Sequence, residues 1–211
     1  MTSSSSNNRV LSIYKSRKTI IELMDYQKYD TSDYSNFTIN EIDAMYTNSQ
    51  LDMLMTKKNN TTKTYIKYYL ASKQIRIPNL DEIIEDLFVI ENILTKNDTL
   101  IIIMEDEPND TLITRMRYLY DHDGIFVVIH NINRLQYNLL HHKLVPECNI
   151  LEESEIEELK KKYNIMNLKQ LPEISRFDPQ SLALSVRPGQ ICRFDRNSQT
   201  ALFYYYYRIC V

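Results

Sequence analysis

The apolar residues near the start of the chain recur with the period of an α-helix. They fall near the i, i+3, i+4 spacing of one helix face, which predicts a helix over residues 10–26. The basic residues between them are predicted to form a solvated face. Residues 1–8 are polar and low in complexity, so the sequence predicts disorder there. The apolar set is Val10, Ile13, Tyr14, Ile20, Ile21 and Met24, and the basic set is Lys15, Arg17 and Lys18.

The next segments combine capping signals with short apolar runs. Thr38 followed by Glu41 forms a capping box, which marks the start of a short helix. Apolar residues flank a polar stretch at residues 57–61, a pattern that predicts two strands joined by a turn. A further helix is predicted to open at Asn79 or Asp81 and to run to Leu94. Its core-facing positions are Ile83, Ile84, Leu87, Phe88 and Ile90.

Two continuous apolar runs, residues 100–104 and 125–129, are typical of strands that are buried on both faces. The residues between them have helical periodicity over 111–120, and Gly124 ends the connection. A strand, a helix and a second strand within about 30 residues form a βαβ unit, in which the two strands are parallel. The sequence therefore predicts an N-terminal αβ region built around a parallel strand pair.

The last part of the chain shows strand patterns after one helix. Residues 152–163 read as a helix with acidic residues first and lysines last, which suits the helix dipole. Arg187, Pro188 and Gly189 read as a turn, because Pro presets φ at its second position and Gly permits a positive φ at its third. Residues 190–195 and 202–210 read as strands joined by a polar loop over 196–201.

Within these strands, alternation predicts which side chains share a face. Cys192 and Phe194 are predicted to lie on one face of the first strand. In the second strand, Tyr205 and Tyr207 are predicted to pack on the helix, with Tyr204 and Tyr206 at a surface. A run of tyrosines can also stack nucleic-acid bases, but alternation allows at most two of them on one platform. A terminal strand of this composition is expected to be tied into a sheet.

Composition limits the classes of protein that remain. The 211 residues suffice for one large domain or two small ones, and a net charge of −3 argues against binding of polyanions by bulk electrostatics. The 3 cysteines are too few and odd in number for a disulfide framework, which indicates a reducing compartment. With 2 glycines, phosphate-cradling glycine loops are excluded. No apolar run is long enough to span a membrane, so no membrane partner is expected.

Candidate chemistry is sparse. His141, His142 and Cys148 lack the paired spacing of zinc motifs, and neither a metal nor another cofactor is predicted. The acidic residues after residue 104 predict a solvent-exposed loop and not a cation-binding site. The first buried strand carries no nuclease-like pattern of carboxylates and lysine. No catalytic constellation is present, so we expect that the protein is not itself an enzyme.

Leu171, Pro172 and Ile174 form an L-P-x-I pattern, and an ordered set of further motif positions surrounds it in the last part of the chain. These residues resemble the fifth common subunit of eukaryotic RNA polymerases and its shorter archaeal counterpart. The resemblance covers about 70 residues, and the ordered set is specific although each piece alone is weak. The remaining matching positions, which the resemblance makes candidates for docking on the partner subunit, are His142, Leu144, Pro146, Asp178, Pro179, Arg187, Gly189, Arg193, Arg196, Ser198, Thr200, Tyr204, Tyr207 and Arg208.

The resemblance extends more weakly to the N-terminal region, where Arg17, Lys18, Thr19 and Tyr29 match the first helix of the family's jaw domain. Several positions depart from the family, and at three of them Lys28, Ser185 and Leu202 stand where it has glycine. The resemblance implies a jaw domain over residues 1–140 and an assembly domain over residues 141–211. It thus implies a mixed α+β and α/β fold, in which a small mixed sheet with helices on one side follows an αβ domain.

The resemblance also implies the function. It predicts a non-catalytic subunit of a DNA-directed RNA polymerase whose C-terminal domain docks on the largest subunit. The N-terminal domain would form part of the lower jaw near downstream duplex DNA, with other polymerase subunits as further partners. Pro108, Arg115 and Arg117 are the candidates nearest to DNA, but the acidic residues around Pro108 predict that its loop does not grip the phosphate backbone.

Two alternatives stay open, a stand-alone nucleic-acid-binding factor and a degenerate nuclease-like protein. The abundance of Ile, Asn, Lys and Tyr indicates AT-rich coding, which together with the resemblance suggests a large cytoplasmic DNA virus. We expect the protein in the virion and host cytoplasm if the source is viral, and in the nucleus if it is cellular.

Overall fold

The structure of the chain, a computed structural model, describes residues 2–59, 61–198 and 200–211. The chain forms two compact units, Met1–Asn138 and Leu139–Val211. Each unit contains one sheet of 4 strands, with helices before and between the strands. The predicted mixed α and β fold class is confirmed.

The N-terminal unit contains four α-helices and four strands within the described residues. Its strands β2 to β4 are neighbours in the order of the chain, and β1 lies at one edge. The elements are α1 (Thr2–Tyr26), α2 (Ile39–Thr47), β1 (Met53–Thr56), β2 (Lys63–Tyr68), α3 (Ile77–Glu85), β3 (Thr99–Met104), α4 (Asp110–Tyr118) and β4 (Phe126–Asn131).

Helix α1 begins earlier than its hydrophobic pattern indicates. Its backbone is helical from Thr2, in the segment for which composition predicts disorder, while Met1 lies outside the described residues. Once the amphipathic part of a helix has formed, each added residue gains one hydrogen bond, so a polar extension can continue it. The predicted solvated basic face is wrong in part, because the side chain of Arg17 is buried whereas Lys15 and Lys18 are exposed.

The predicted βαβ unit is confirmed. Strands β3 and β4 are parallel, with Leu100 opposite Val127, and all six residues of each strand are buried. A second parallel pair joins β2 to β3 through α3, which the sequence pattern did not predict. The expected strand pair is also present, because β1 runs antiparallel to β2. The residue Asn60 of its connection lies outside the described residues.

Two helices continue into single π-helical turns, Asp86–Ile90 after α3 and Leu119–Asp123 after α4. The predicted helix to Leu94 therefore ends earlier, and the expectation that Ile90 faces the core is wrong, since Ile90 is 66% exposed. The wider π turn rotates the following side chains away from the face that α3 buries. After α4, Gly124 ends the helix in the left-handed conformation at φ +71°.

The C-terminal unit consists of a sheet in the order β5–β7–β8–β6. Strand β8 pairs antiparallel with β7 and parallel with β6, so the last strand of the chain is tied into the sheet as predicted. The elements are β5 (Glu147–Ile150), α5 (Glu153–Tyr163), β6 (Glu173–Ile174), α6 (Pro179–Ala183), β7 (Ile191–Ser198) and β8 (Leu202–Cys210).

The hairpin of β7 and β8 is longer than its sequence indicates. The sequence predicts residues 196–198 in a polar loop, but Arg196 pairs with Tyr204 and Ser198 with Leu202. The aromatic strand β8 supplies a complete partner edge, so polar residues of β7 join the ladder through their backbone groups. Gln199, at the hairpin turn, lies outside the described residues.

Apolar residues cover both faces of this sheet. Cys192, Phe194 and Cys210 join one cluster with Leu184 and Val186, which follow α6. On the opposite face, Ile191 packs with Leu159 of α5. Helix α5 therefore covers one face and the residues after α6 cover the other, because successive strand residues point to opposite faces and both sets are apolar.

None of the helices among the described residues is long and apolar enough to cross a membrane.

Candidate subunit-docking surface

The hairpin of β7 and β8 divides the candidate docking residues between its two faces. Arg193 and Tyr207 are a directly opposed pair, and Tyr207 packs with the cluster under α5. Arg196 and Tyr204 are another opposed pair, on the other face by strand alternation. Ser198 lies on the same strand as Arg196 and Arg208 on the same strand as Tyr204, each at an even spacing. Both therefore share the face of Arg196 and Tyr204.

Tyr206 is the centre of this second face, which we call the Arg–Tyr face and define as Arg196, Ser198, Tyr204, Tyr206 and Arg208. The guanidinium of Arg196 lies 4.6 Å from the Tyr206 ring centroid, and that of Arg208 lies 5.2 Å from it. Arg208 also donates from Nη1 to the Glu173 backbone oxygen at 3.4 Å. Cations over an aromatic face are held by its quadrupole, so both arginines are pre-positioned.

Arg193, on the face under α5, is held by several groups. Its guanidinium lies 4.9 Å from the Tyr205 ring centroid and its Nε lies 3.3 Å from Asp195 Oδ1. Nη1 is 3.8 Å from Glu155 Oε1 on α5. The arginine therefore links the hairpin to the helix, and its charge is largely balanced inside the unit.

Tyr207 is a packing residue. Its ring makes an edge contact with Tyr163 of α5, with centroids 5.9 Å apart, and burial raises the pKa of its hydroxyl. The prediction that Tyr207 packs on the helix is confirmed. The same prediction for Tyr205 is wrong, because Tyr205 is 43% exposed. Tyr206, predicted at a surface, is instead partly buried against the Cys192 cluster.

Ser198 and Thr200 shape the hairpin turn. The Ser198 hydroxyl accepts from the backbone N–H groups of Thr200 and Ala201, both at 3.3 Å. It also lies 3.2 Å from the Thr200 hydroxyl. These bonds are local, so the structure gives both residues a turn-forming role at the tip of the hairpin.

The predicted turn at Arg187, Pro188 and Gly189 lies at the other end of β7. Gln190 N–H donates to the Arg187 oxygen at 3.1 Å, and Gly189 has φ +89°, as the third position of a type II turn requires. Gly189 N–H also donates to the Cys210 oxygen at 2.9 Å. The turn is confirmed, and it lies remote from Ser198 along the strand.

The segment with His142, Leu144 and Pro146 forms a separate exposed group. Leu144 is 83% exposed, and its N–H donates to His142 Nδ1 at 3.2 Å. Gln180 Nε2 donates to the Pro146 oxygen at 2.7 Å. This bond brings the segment to α6, where Asp178 caps the helix and Pro179 occupies its first turn.

The three cysteines of this unit lie in its apolar core. Cys148, Cys192 and Cys210 are buried free thiols, and burial raises the pKa of Cys210 to about 12. The pKa of the Cys148 thiol is raised as well, because Cys148 forms a hydrogen bond with Cys192. In the described parts of the chain, no group of three His, Cys, Asp or Glu side chains could hold a metal ion.

The candidates nearest to DNA lie in the N-terminal unit. Arg115 Nη2 is 2.9 Å from Asp81 Oδ1, so its charge is paired. Arg117 lies on the same helix, α4, and is exposed. Pro108 lies in the acidic loop, residues 105–109. Two carboxylates of this loop are neutralised by arginines, Glu105 by Arg9 and Glu107 by Arg134, each at 2.7 Å.

Sequence reasoning missed two features of these surfaces. The sequence predicts Tyr206 at a surface but not its contacts, and the strand register sets it beside Arg196 and Arg208. The ion pairs of the acidic loop, Arg9–Glu105 and Arg134–Glu107, join residues 96 and 27 positions apart. No local sequence pattern therefore predicts them.

Residues 137–210 match a family described as RNA polymerase Rpb5, C-terminal domain. DNA-directed RNA polymerase subunit Rpo5 of Thermococcus kodakarensis is 49% identical over 76 residues, which are 36% of this chain and 92% of that protein. The corresponding subunit of Methanococcoides burtonii is 33% identical over 76 residues, 36% of this chain and 96% of its own length.

One relative extends over nearly the whole chain. The rpabc1 subunit of DNA-directed RNA polymerases I, II, and III from Dictyostelium discoideum is 24% identical over 206 residues, 97% of this chain and 98% of that protein. Similarity is therefore strongest in the C-terminal unit and continues at a lower level through the N-terminal one. The chain belongs to the Rpb5/Rpo5 family of non-catalytic subunits of multisubunit DNA-directed RNA polymerases.

Proposed function

We propose that this chain is an accessory polymerase subunit whose C-terminal unit docks on the largest subunit. The observation that carries the proposal is the 49% identity over 76 residues to a subunit that is almost wholly covered by the match. A relative of that length has little beyond the equivalent of residues 139–211 with which to bind its polymerase. The shared residues of this unit therefore include those that bind the other subunits.

Within the unit, the Arg–Tyr face is the docking surface that the geometry favours. Tyrosine and arginine are enriched among the residues that dominate the energy of protein interfaces. Arg196 and Arg208 are ordered by Tyr206 before any partner binds, which lowers the conformational entropy lost on docking. The segment with exposed Leu144 is a second contact in this proposal.

The chain itself carries no active site in this proposal. Its cysteines are buried, and two carboxylates of its acidic loop form ion pairs with arginines. Catalysis would belong to other subunits of the assembly, and no cofactor is needed by this chain.

The N-terminal unit would form part of the lower jaw beside downstream duplex DNA, with a weak or indirect contact. The acidic loop around Pro108 would border the DNA channel without gripping phosphates. Arg117 is the exposed cation on α4 that could approach the backbone.

The source and location are part of the proposal as well. The rich content of Tyr and the presence of 2 glycines in 211 residues accord with AT-rich coding, which supports a large cytoplasmic DNA virus. In that case the protein acts in the virion and host cytoplasm, and in a cellular source it acts in the nucleus.

The test is co-purification of the tagged full chain from cells that express the polymerase, followed by identification of bound subunits. The wild-type chain is expected to recover the largest subunit, and the double variant R196E and R208E is expected to lose at least about 90% of it. A control variant, K161E, makes the same kind of charge change on the exposed side of α5. Its recovery should match the wild type.

Two outcomes would reject the proposal. Recovery of nucleic acid without polymerase subunits would favour a stand-alone nucleic-acid-binding factor. Equal recovery of the largest subunit by the wild type, the double variant and the control would show that the Arg–Tyr face is not the docking surface.

A further inference from the structure

A cavity of about 390 Å³ lies in the N-terminal unit between α1 and the residues that precede α2. Its wall from α1 includes Tyr14, Arg17, Lys18 and Glu22, and its opposite wall includes Tyr34 and Phe37. Aromatic and aliphatic surface thus surrounds a small set of charged groups. Sites for small organic ligands have this composition, with few polar groups that set the orientation.

Arg17 is the unusual member of this wall. Its side chain is 2% exposed, and its Nη1 donates to the Leu51 backbone oxygen at 2.8 Å. The Nε atom is buried and has no hydrogen-bond partner among the described residues. The rings of Phe37 and Tyr34 lie over the guanidinium, at 5.4 and 5.9 Å from their centroids.

This arrangement leaves a buried cation without an anion. In the part of the chain that the structure describes, no carboxylate forms an ion pair with Arg17. Burial lowers the pKa of its guanidinium, with smaller opposing effects from Tyr68, Tyr34 and Asp52. An unpaired buried charge and an unsatisfied donor both cost stability, and an anion that reached this wall would relieve both.

We propose that this cavity binds a peptide carboxylate that is carried next to an apolar residue. Nη1 of this guanidinium is occupied and Nε is unsatisfied, so the N–H groups of the Nε edge are the ones that a ligand could bind. Two neighbouring N–H groups match the two oxygens of a planar carboxylate. The apolar part of the ligand would lie against Phe37, Ile21 and Ile42, which line the same cavity.

The charges of the wall favour a monoanion over a phosphate dianion. Arg17 and Lys18 contribute two positive charges and Glu22 one negative charge, so the wall has one charge to neutralise. Glu22 is held in place by Asn138, whose Nδ2 donates to Glu22 Oε2 at 3.1 Å. A second negative charge on the ligand would therefore face this carboxylate.

The loop over Arg17 is built to hold its position. Asn36 adopts φ +73°, a left-handed conformation that asparagine tolerates better than most residues. The bend comes directly before Phe37 and lets the Phe37 ring lie over the Arg17 guanidinium. On the other side of the loop, the Tyr34 hydroxyl donates to the Leu54 oxygen at 2.9 Å.

The experiment is an NMR titration of the full ¹⁵N-labelled chain, following the Nε–Hε signal of Arg17. One probe is N-acetylphenylalanine, which has a terminal carboxylate, and another is N-acetyl-phenylalanyl-glutamic acid amide, whose carboxylate belongs to a side chain. The neutral control is N-acetylphenylalanine amide, and inorganic phosphate tests for simple anion binding.

A carboxylate probe should shift the Arg17 signal with an affinity at least about tenfold higher than that of the neutral amide. Which of the two carboxylate probes binds more tightly identifies the source, a chain end or an acidic side chain. Lys18→Gln, at an exposed position, should lower the affinity for the preferred probe by about two- to fivefold. Arg17→Lys should lower the same affinity by about tenfold.

Three results would overturn the proposal. One is the absence of any Arg17 shift with both carboxylate probes at millimolar concentration. Another is equal binding of the acid and its amide, which would show that the cavity recognises only the ring. The third is tighter binding of phosphate than of either carboxylate. If Arg17→Lys fails to fold, the comparison of acid with amide on the wild-type chain still decides.

Discussion

Three residues at the places of family glycines keep a glycine-like backbone. Lys28, Ser185 and Leu202 have φ values of +67°, +51° and +59°, in the left-handed region that disfavours side chains with a Cβ atom. The backbone at these places thus has a conformation that suits glycine, although each residue carries a Cβ atom. At Lys28, neighbouring bonds hold this conformation, because its N–H donates to Asp25 O and its oxygen accepts from Lys58 N, both at 2.9 Å.

Lys28→Gly should therefore stabilise the protein, which is the opposite of the usual effect of glycine. Relief of left-handed strain is worth about 1–2 kcal/mol and the added freedom of the unfolded chain costs about 0.5–1 kcal/mol, so a gain of about 0.5–1 kcal/mol in unfolding free energy is expected. Urea denaturation measures it. The matched control is Lys15→Gly, another exposed lysine but within α1, which should lose about 1 kcal/mol. Destabilisation by both changes would contradict the strain argument.

At the scale of the element, helix α2 shows how a short segment is stabilised by its first turn. The Thr38 hydroxyl accepts from Glu41 N–H at 3.4 Å, while the Glu41 carboxylate accepts from Thr38 N–H at 2.6 Å. The predicted capping box is confirmed. The helix has 9 residues and buries Ile42, so its cap is a large part of what defines it.

Thr38→Ala should lower the unfolding free energy by about 1 kcal/mol at neutral pH. The hydrogen bonds from the Thr38 backbone and side chain lower the pKa of Glu41. A carboxyl group with a lowered folded pKa stabilises above its unfolded pKa, and the contribution is lost as pH falls through the folded pKa. The cost of Thr38→Ala should hence shrink as the pH is lowered below about 4.3.

Urea denaturation of the wild type and the variant at pH 7 and at acidic pH checks this expectation. Thr47→Ala, in the last turn of the same helix, is the control, because its hydroxyl bonds only to the Asp43 oxygen. A cost of Thr38→Ala that stays constant with pH would show that Glu41 does not take part in the cap.

The hairpin of β7 and β8 makes a second point at this scale. Eight residue pairs join its strands, and the pairing carries polar residues such as Asn197 into the ladder. Element length is thus decided by the partner strand as well as by the residue's own preference.

For the whole molecule, the C-terminal unit is expected to be independent. It has its own sheet and apolar clusters on both faces, and the archaeal relatives of 49% and 33% identity correspond to this part. A fragment of residues 138–211 should be soluble, should unfold cooperatively, and should recover the largest polymerase subunit. Binding by the full chain together with a folded fragment that does not bind would reject this expectation.

A second prediction at this scale concerns the acidic loop of the N-terminal unit. The double variant E105Q and E107Q removes two negative charges and releases Arg9 and Arg134 from their ion pairs. Retention of the assembled polymerase on downstream duplex should rise or stay level, and its salt dependence should steepen where a new phosphate contact forms. Filter binding over a range of salt concentrations measures both quantities.

The control for this variant is E82Q and E85Q, which makes the same change of charge at exposed positions of α3. It should leave the salt dependence unchanged. A clear loss of retention by the loop variant alone would show that these carboxylates help to hold the DNA.

Local sequence signals determined the elements that depend on neighbours along the chain. The buried runs of β3 and β4, the capping box of α2 and the turn at Gly189 were predicted, because periodicity and φ preference act within a few residues. The ordered motifs of the C-terminal unit were likewise enough to indicate the family.

Tertiary structure alone decided the remaining features. Burial of Arg17, the neutralisation of Glu105 and Glu107, and the position of Tyr206 between two arginines each depend on residues that meet through strand pairing or helix packing. Such contacts leave no periodic trace in the sequence, since either partner could equally have faced solvent. The cavity beside Arg17 belongs to this class, because its walls come from segments that only the fold brings together.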